Sequence, residues 1–284
     1  MAKLQHSIGE LIKLSAGYLT EKGCSSPRLD AELLLGHVLG LDRLSLYLNL
    51  DKPLNKKEVD EYRALIGQRG QRVPVPHLTG EREFYSLALS VSPQVLIPRP
   101  ETELLVDKVL ELIEPAEPVW ILDLGTGSGA IALALACQDP NIFVTAADLS
   151  AAALRVAEKN AEQLEMNAQI DFIESDLFEN IQGKYNVICS NPPYIPRAQL
   201  AQAMPEVRKE PALALDGGED GLVFYRRILN QAASFLEHSG FVVLEIGCDQ
   251  ARHVREIGEQ RGLSWQETVR DYAGKDRVVV FRWA

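Results

Sequence analysis

The residues best suited to chemistry stand together in one segment, Asn191-Pro192-Pro193-Tyr194, directly after an apolar stretch. Two consecutive prolines fix the backbone and remove two N–H donors, which makes this an unusual sequence for an ordinary loop. The Asn191 side-chain oxygen and the Pro192 backbone oxygen are both acceptors, so each can take one hydrogen of an NH₂ group. Tyr194 adds an aromatic face on which a planar amide or nucleobase can stack. The segment therefore predicts a site for a planar NH₂ group, with Asn191, Pro192 and Tyr194 as catalytic residues and all four residues, including Pro193, in contact with the substrate.

Such a site suits transfer of a methyl group to an amide-type nitrogen. The lone pair of this nitrogen is delocalised, and its proton is out of reach of an ordinary side-chain base. Acceptors that bind both hydrogens as the nitrogen pyramidalises stabilise the transition state more than the ground state. A sulfonium methyl donor then needs only to be held in line. The sequence offers no catalytic triad, paired catalytic carboxylates or clustered metal ligands, so we expect no metal. The alternative interpretation of Asn191-Pro192-Pro193-Tyr194 is a loop without a chemical role, stiffened by its prolines and turned at its asparagine.

A second group of residues lies upstream, where VWILDLGTGSGAIALALA predicts a buried strand, a glycine turn and an amphipathic helix. Gly125, Gly127 and Gly129 allow a tight turn and the close approach of a ligand. The following helix presents unpaired N–H groups at its start. A turn of this type is weakly specific, because several classes of nucleotide enzyme use one. We predict that the whole turn, including Thr126 and Ser128, binds a cofactor.

Two acidic residues follow the next two predicted strands. Asp148 ends the strand after the glycine turn, where an acid can accept hydrogen bonds from ribose hydroxyls. Asp176 follows the third strand and can accept from an exocyclic adenine amine. The carboxyl ends of successive parallel strands form the ligand-binding edge of an open sheet. The same architecture also serves hydride transfer with NAD. The Asn191 segment favours methyl transfer over hydride transfer.

The chain falls into three predicted regions. Residues 1–75 show apolar residues at helical spacing and predict a small helical domain for packing or partner docking, with Asn55 as a helix cap. Residues 76–98 alternate around Phe84 and Leu89 and predict a β-hairpin linker. Residues 99–284 alternate between strand and helix, which predicts a parallel sheet covered by helices on both faces. The strands are predicted near 119–124, 142–148, 170–174, 185–190, 240–246 and 276–283, and the helices at 101–114, 129–138, 151–164, 220–238 and 249–262.

Composition narrows the classes of function. The formal net charge of −11 argues against a protein that mainly binds bare nucleic acid and favours a protein partner. No apolar run is long enough to cross a membrane. The four cysteines are scattered, and three of them sit in apolar surroundings, which predicts buried thiols in a reducing cytoplasm. We expect a cytoplasmic monomer.

Three further segments carry a resemblance to a known family. HLTGEREFYSLALSVSPQVLIPRPETE (77–103), EPALALDGGEDGLVFYRRIL (210–229) and LEIGCDQ (244–250) resemble the HemK/PrmC family of release factor glutamine methyltransferases. With the glycine turn, Asp148 and the Asn191 segment, the resemblance covers nearly the whole chain. It implies a class I, Rossmann-like methyltransferase sheet with a small N-terminal helical domain. It also implies S-adenosylmethionine as cofactor and, as partner, the Gly-Gly-Gln glutamine of class 1 peptide chain release factors.

The resemblance also implies roles for individual residues. Asn191 would contact the cofactor as well as the target glutamine, and Leu177 would pack beside the adenine. The LIPRPETE stretch would lie over the site, with Arg99 binding substrate or forming a salt bridge, and Glu101 as a second organiser. Three alternatives stay open: a glutamine methyltransferase for a ribosomal protein, a nucleic-acid amino-methyltransferase, and a non-enzymatic release-factor adaptor.

Overall fold

The computed structural model describes residues 6–113 and 117–284 of the chain. It divides into two compact units. The first ends at Gly80 and also includes Met204–Lys209, and the second consists of Glu81–Ala203 and Glu210–Ala284. The predicted helix end at residue 114 lies outside the described residues.

The first unit is helical, as its apolar spacing predicts. Its helices are α1 (Ile8–Glu21), α2 (Pro27–Leu39), α3 (Arg43–Leu48), α4 (Lys56–Gly70) and α5 (Val75–Thr79). Ser7 and Glu10 form a capping box at the start of α1. Asn55 caps α4 by accepting from the Glu58 N–H at 3.0 Å, so that the predicted cap is confirmed. The apolar faces of the helices meet in one buried core.

A cluster of ion pairs attaches the segment Met204–Lys209, which comes much later in the sequence, to this helical unit. Glu206 accepts from Arg72 at 2.6 Å with both carboxylate oxygens and from Arg69 at 2.9 Å. Arg69 also donates to Asp30 at 2.8 Å. The Arg69 side chain is only 5% exposed, so loss of either acidic partner would leave a buried charge incompletely paired.

The second unit contains a β-hairpin and a seven-stranded sheet with helices. Its strands are β1 (Glu81–Phe84), β2 (Leu87–Ser90), β3 (Val119–Leu124), β4 (Ile142–Asp148), β5 (Ile170–Glu174), β6 (Tyr185–Ser190), β7 (Leu236–Glu245), β8 (Ser264–Arg270) and β9 (Asp276–Arg282). Its helices are α6 (Glu103–Leu112), α7 (Ala130–Ala136), α8 (Ala151–Gln163), α9 (Arg197–Leu200), α10 (Val223–Gln231) and α11 (Ala251–Glu259).

The sheet order is β5-β4-β3-β6-β7-β9-β8. The first five strands are mutually parallel, and β9 runs antiparallel between β7 and β8. Side chains of β3 alternate between two cores: Ile121 packs in one with α6 and α7, and Leu122 packs in the other with α10 and α11. The α/β fold with helices on both faces of the sheet is thereby confirmed.

The structure corrects the sequence prediction in several places. Strand β8 was not predicted, because its SWQETVR sequence lies at the sheet edge and none of its residues is fully buried. The reversed strand β9, which is antiparallel to both of its neighbours, corrects the expectation of a parallel sheet. The helix predicted at 220–238 ends at Gln231, and the chain enters β7 at Leu236. The alternation predicted from residue 76 begins at Glu81, because Pro76 at the helix start and left-handed Gly80 at its end favour the short helix α5.

The cysteines also differ from expectation. Cys24 and Cys189 are buried free thiols, but Cys137 is half-buried and Cys248 is exposed. No helix among the described residues is long and apolar enough to cross a membrane.

Candidate active site

A cleft opens at the carboxyl ends of β3, β4 and β6. This is where the strand order changes direction, since β4 follows β3 on one side and β6 lies on the other. Most of the predicted site residues line it: Gly125, Gly127, Asp148, Asp176, Leu177, Asn191, Pro192 and Pro193. The sheet topology therefore brings together side chains that are far apart in sequence.

The glycine turn after β3 is held by the end of β4. The Ala147 carbonyl accepts from the N–H groups of Gly125 at 2.8 Å and Thr126 at 3.0 Å. Gly125 has φ +74°, and a Cβ there would meet no atom within 4 Å, so the backbone is open toward a ligand. Gly129 has φ +80°, and its Cβ would lie 3.1 Å from the Ala157 Cβ. Glycine at this position lets α8 pack against the turn.

Thr126, Ser128 and Gly129, which we predicted as cofactor-binding, do not line the cleft. The Thr126 hydroxyl donates to the Asp123 carboxyl at 2.7 Å, and Ser128 is buried. These residues support the turn from behind, and direct contact with a cofactor stays a prediction for them.

Asp148 joins the turn to the end of β4. Its Oδ2 accepts from the Gly127 N–H at 2.9 Å, and its Oδ1 accepts from the Ser150 N–H at 2.8 Å. Burial raises the pKa of Asp148, while these two backbone donors oppose the rise. Each oxygen keeps a second lone pair, so the carboxylate can accept further hydrogen bonds from a ligand.

Asp176 and Leu177 lie on the far side of the cleft. Asp176 is half-buried, and its Oδ1 forms a salt bridge with Arg227 at 2.8 Å, which leaves its other oxygen for a ligand. Leu177 has φ +55°, and its carbonyl accepts from the Ser175 hydroxyl at 2.8 Å. Phe224 lines the same cleft and supplies an aromatic ring that the sequence analysis did not identify.

The Asn191 loop begins where β6 is tied to β3. The Ser190 hydroxyl donates to the Leu124 carbonyl at 2.6 Å, which fixes the two strand ends side by side. The Asn191 amide nitrogen then donates to the Thr102 hydroxyl at 3.2 Å. Within residues 6–113 and 117–284, neither Asn191 Oδ1 nor the Pro192 carbonyl accepts a hydrogen bond. Both oxygens therefore keep free acceptor capacity, and both residues line the cleft.

Tyr194 lies on the other side of this loop. It lines a neighbouring cavity together with Pro196, Asp220, Cys248 and His253. The loop is thus shared by two cavities, with Asn191 to Pro193 facing one and Tyr194 facing the other. The predicted stacking role of Tyr194 stays a prediction.

Later segments of the chain hold the Tyr194 backbone in place. Gln250 donates to the Tyr194 carbonyl at 3.0 Å. A Cβ on Gly217 would lie 2.8 Å from the Tyr194 Cα, and one on Gly221 would lie 2.4 Å from the Tyr194 carbonyl oxygen. Only glycine fits at these two positions. The DGGEDG and LEIGCDQ segments therefore support the loop rather than line the first cleft.

Arg99 forms the salt bridge that was one of its two expected roles. It donates to Glu210 at 2.5 Å, and the same buried carboxylate accepts from the Ile97 N–H at 3.0 Å. The side chain of Arg99 is one-third exposed. Its substrate-binding role stays a prediction.

Several supporting residues were missed by the sequence analysis. Buried Asn160 on α8 donates to the carbonyls of Ser128 and Ser90 at 2.9 and 3.0 Å and accepts from the Ser90 N–H at 2.7 Å. It thereby joins the glycine turn to the hairpin strand β2. Asn160 is a polar residue on the apolar face of α8, and this position could have identified it as a residue with a buried partner. Glu245, a charged residue at the end of the apolar strand β7, could have been identified in the same way.

The fold and the sequence of this chain were compared with those of known proteins. The fold resembles the crystal structure of a methyltransferase from Pyrococcus furiosus, with a TM-score of 0.53 and 22% identity over 69% of this chain and 88% of that one. Residues 101–238 match the methyltransferase small domain, and residues 10–80 match the PrmC N-terminal domain. The second unit is therefore a class I methyltransferase fold.

Full-length relatives define the family. The chain is 42% identical to a release factor glutamine methyltransferase of Geobacter sulfurreducens over 96% of this chain and 95% of that protein. It is 43% identical to one of Moorella thermoacetica over 96% of both. The chain belongs to the release factor glutamine methyltransferase family, as its sequence motifs predicted.

Proposed function

We propose that this protein transfers a methyl group from S-adenosylmethionine to the side-chain amide nitrogen of the Gly-Gly-Gln glutamine in class 1 peptide chain release factors. The observation that carries the proposal is that Asn191 and Pro192 line the cleft, while Asn191 Oδ1 and the Pro192 carbonyl accept no hydrogen bond from the described chain. Together they can accept both hydrogens of one NH₂ group.

The cleft fits a nucleoside with a charged tail. Asp148 presents two fixed oxygens with spare lone pairs, which suits a ribose diol. Leu149, Leu177 and Phe224 give the same cleft an apolar surface that suits a purine ring. Gly125 leaves backbone exposed without a Cβ beside it. S-adenosylmethionine, when bound, supplies an electrophilic methyl group on a sulfonium sulfur.

The residues of the loop supply position and hydrogen-bond acceptance rather than a base. As the nitrogen accepts the methyl group that bound S-adenosylmethionine would supply, its N–H groups would become more acidic. Fixed acceptors at both hydrogens stabilise that state more than the planar ground state. The proton leaves after the methyl group is attached, when the nitrogen no longer needs a strong base.

A protein substrate agrees with the second cavity. Tyr194 lines this cavity while Asn191 lines the first one, so the loop that would hold the glutamine borders a second space beside the cofactor cleft. The net charge of −11 also favours a protein partner over bare nucleic acid. Monomeric state and a cytoplasmic location stay predictions.

The test is transfer of a labelled methyl group into a purified class 1 release factor, followed by mass spectrometry of the Gly-Gly-Gln peptide. The matched control is the same factor with its glutamine replaced by asparagine, whose amide sits one methylene short. Purified large-subunit ribosomal proteins and total RNA serve as parallel substrates. Label that appears only in one of these would overturn the proposal and identify the alternative.

A further inference from the structure

Two buried side chains, Thr102 and Glu245, continue a chain of hydrogen bonds that starts at the half-buried Asn191. The Asn191 amide nitrogen lies 3.2 Å from the Thr102 hydroxyl oxygen, and that hydroxyl lies 2.6 Å from Oε2 of Glu245. Thr102 is 4% exposed and Glu245 is 1% exposed, so water does not compete for these hydrogen bonds. Glu245 ends β7, and Thr102 closes the short 3₁₀ turn Pro100–Thr102.

The direction of each hydrogen bond follows from the number of hydrogens. A carboxylate only accepts, so the single Thr102 hydrogen must point to Glu245. The Thr102 oxygen can then only accept, and the Asn191 group that faces it must be the NH₂ end. If the amide turned over, two acceptor oxygens would face each other and one hydrogen bond would be lost.

We propose that Glu245, acting through Thr102, is a positioning residue that keeps the Asn191 amide oxygen directed at the substrate. Neither residue lines the cleft, so neither touches a bound substrate. The inference rests on the proposed function, because it assigns to Asn191 Oδ1 the role of accepting a substrate hydrogen. It gives a role to Thr102 of the RPET segment, which the sequence analysis left without one.

Several charged and titratable groups surround the Glu245 side chain. The Tyr194 hydroxyl donates to Oε1 at 3.4 Å, and the Tyr225 hydroxyl donates to the Glu245 backbone carbonyl at 3.1 Å. Arg277 on β9 stabilises the carboxylate, and Glu101 on the 3₁₀ turn opposes it. Burial dominates and raises the pKa of Glu245 to about 7.

Protonation would reverse the chain of hydrogen bonds. A protonated Glu245 can donate to the Thr102 oxygen, which frees the Thr102 hydrogen to bind Asn191 Oδ1. The amide oxygen is then turned away from the substrate. Turnover should therefore be high when Glu245 is ionised and should fall as the pH drops below about 7.

The experiment compares wild type, T102V, T102S and E245Q in the full-length protein. The kcat and KM for a release factor are measured from pH 5.5 to 9, with S-adenosylmethionine affinity from calorimetry and thermal melting as controls of fold. T102V keeps the shape but removes both hydrogen bonds, so kcat should fall by about 10- to 100-fold with KM and cofactor affinity unchanged. T102S keeps the hydroxyl and should restore most of the turnover.

E245Q provides an independent readout if T102V does not fold. The glutamine oxygen still accepts from Thr102 but does not titrate, so the fall in kcat below pH 7 should disappear while turnover at pH 9 persists. The idea is wrong if T102V turns over like wild type, or if E245Q keeps the wild-type pH profile. A wild-type protein that methylates no release factor would instead contradict the proposed function, so the two failures are distinguishable.

Discussion

The Asp148 carboxylate accepts a hydrogen bond from the Gly127 N–H at 2.9 Å, so the acid after β4 and the glycine turn after β3 form one fixed unit. The Ser150 N–H holds the second oxygen at 2.8 Å. A ligand that binds this carboxylate meets acceptors whose orientation is already set by the backbone. Binding then needs little further ordering of the protein.

Asp148→Ala should weaken S-adenosylmethionine binding by about 10- to 100-fold, because hydrogen bonds to a charged acceptor contribute roughly 1.5–3 kcal/mol. Isothermal titration calorimetry measures the affinity directly. Asp171→Ala is the matched control, since Asp171 is an exposed acid on the neighbouring strand β5. Equal affinities for wild type and Asp148→Ala would remove Asp148 from the cofactor site.

Asn191→Ala should lower kcat by about 100-fold or more while cofactor affinity changes by only a few fold, because it removes one of two acceptors for the reacting NH₂ group. Labelled methyl transfer at saturating cofactor gives kcat, and calorimetry gives the affinity. Asn230→Ala, an exposed asparagine on α10, is the control. Near-normal turnover in Asn191→Ala would contradict the proposed grip on the amide.

Much of the cofactor side of the site could be predicted from sequence, because it depends on strand ends. An acid or glycine after an apolar strand must lie at the carboxyl edge of a parallel sheet, and Gly125, Asp148 and Asn191 all obey this rule. The same reasoning does not say which way a loop residue faces. It therefore assigned Tyr194 to the same cavity as Asn191, whereas Tyr194 lines the neighbouring one.

The buried polar supports could not be paired from sequence alone. Asn160 and Glu245 stand in apolar surroundings, which signals that each has a partner, but those partners lie on β2, the glycine turn and a 3₁₀ turn. Contacts over such sequence separations depend on the packed structure. Arg227, which pairs with Asp176, likewise gave no periodic signal on α10.

Asp123→Asn should stabilise the protein more at pH 8 than at pH 5. Burial raises the pKa of Asp123 from 3.8 to about 7, and its Oδ1 has no hydrogen-bond partner among the described residues. The folded protein therefore binds a proton more tightly than the unfolded chain, and stability falls as the pH rises from about 4 to about 7. Asparagine carries no charge, so the gain of the variant over wild type should grow across this window.

The difference in gain between pH 5 and pH 8 should be on the order of 2 kcal/mol, or several degrees in Tm. Thermal melts at the two pH values measure it, with Asp171→Asn as the exposed control. A gain that is the same at both pH values would show that Asp123 ionises as easily in the folded protein as in the unfolded chain.

Asn160→Asp should destabilise the second unit by roughly 2–4 kcal/mol, because it places a carboxylate oxygen against the buried carbonyls of Ser90 and Ser128. Denaturant unfolding followed by circular dichroism measures the loss. Asn230→Asp makes the same chemical change on an exposed face and should cost little. Equal free energies of unfolding for the two variants would mean that Asn160 does not hold the glycine turn to β2.

The last prediction concerns the proposal that the helical unit docks the protein substrate. On α3, Leu44 is 68% exposed and Leu48 is 76% exposed, while Leu46 between them is buried in the core. Exposed leucines close together favour contact with a partner, and each contributes roughly 1.5–3 kcal/mol when it is fully covered. The double variant Leu44→Ser/Leu48→Ser should therefore raise KM for an intact release factor by about 10-fold or more. Even if the partner covers the two leucines only in part, the loss of about 1.4 kcal/mol of binding free energy corresponds to a factor of about 10.

The same double variant should leave kcat/KM for a short Gly-Gly-Gln peptide unchanged, because the peptide reaches only the site of the second unit. Steady-state methyl transfer on the two substrates gives both values. Tyr272→Ser, in the fully exposed turn between β8 and β9, is the control for loss of a surface apolar group. A loss of equal size on peptide and intact factor would assign the effect to the fold of the enzyme and would contradict docking at α3.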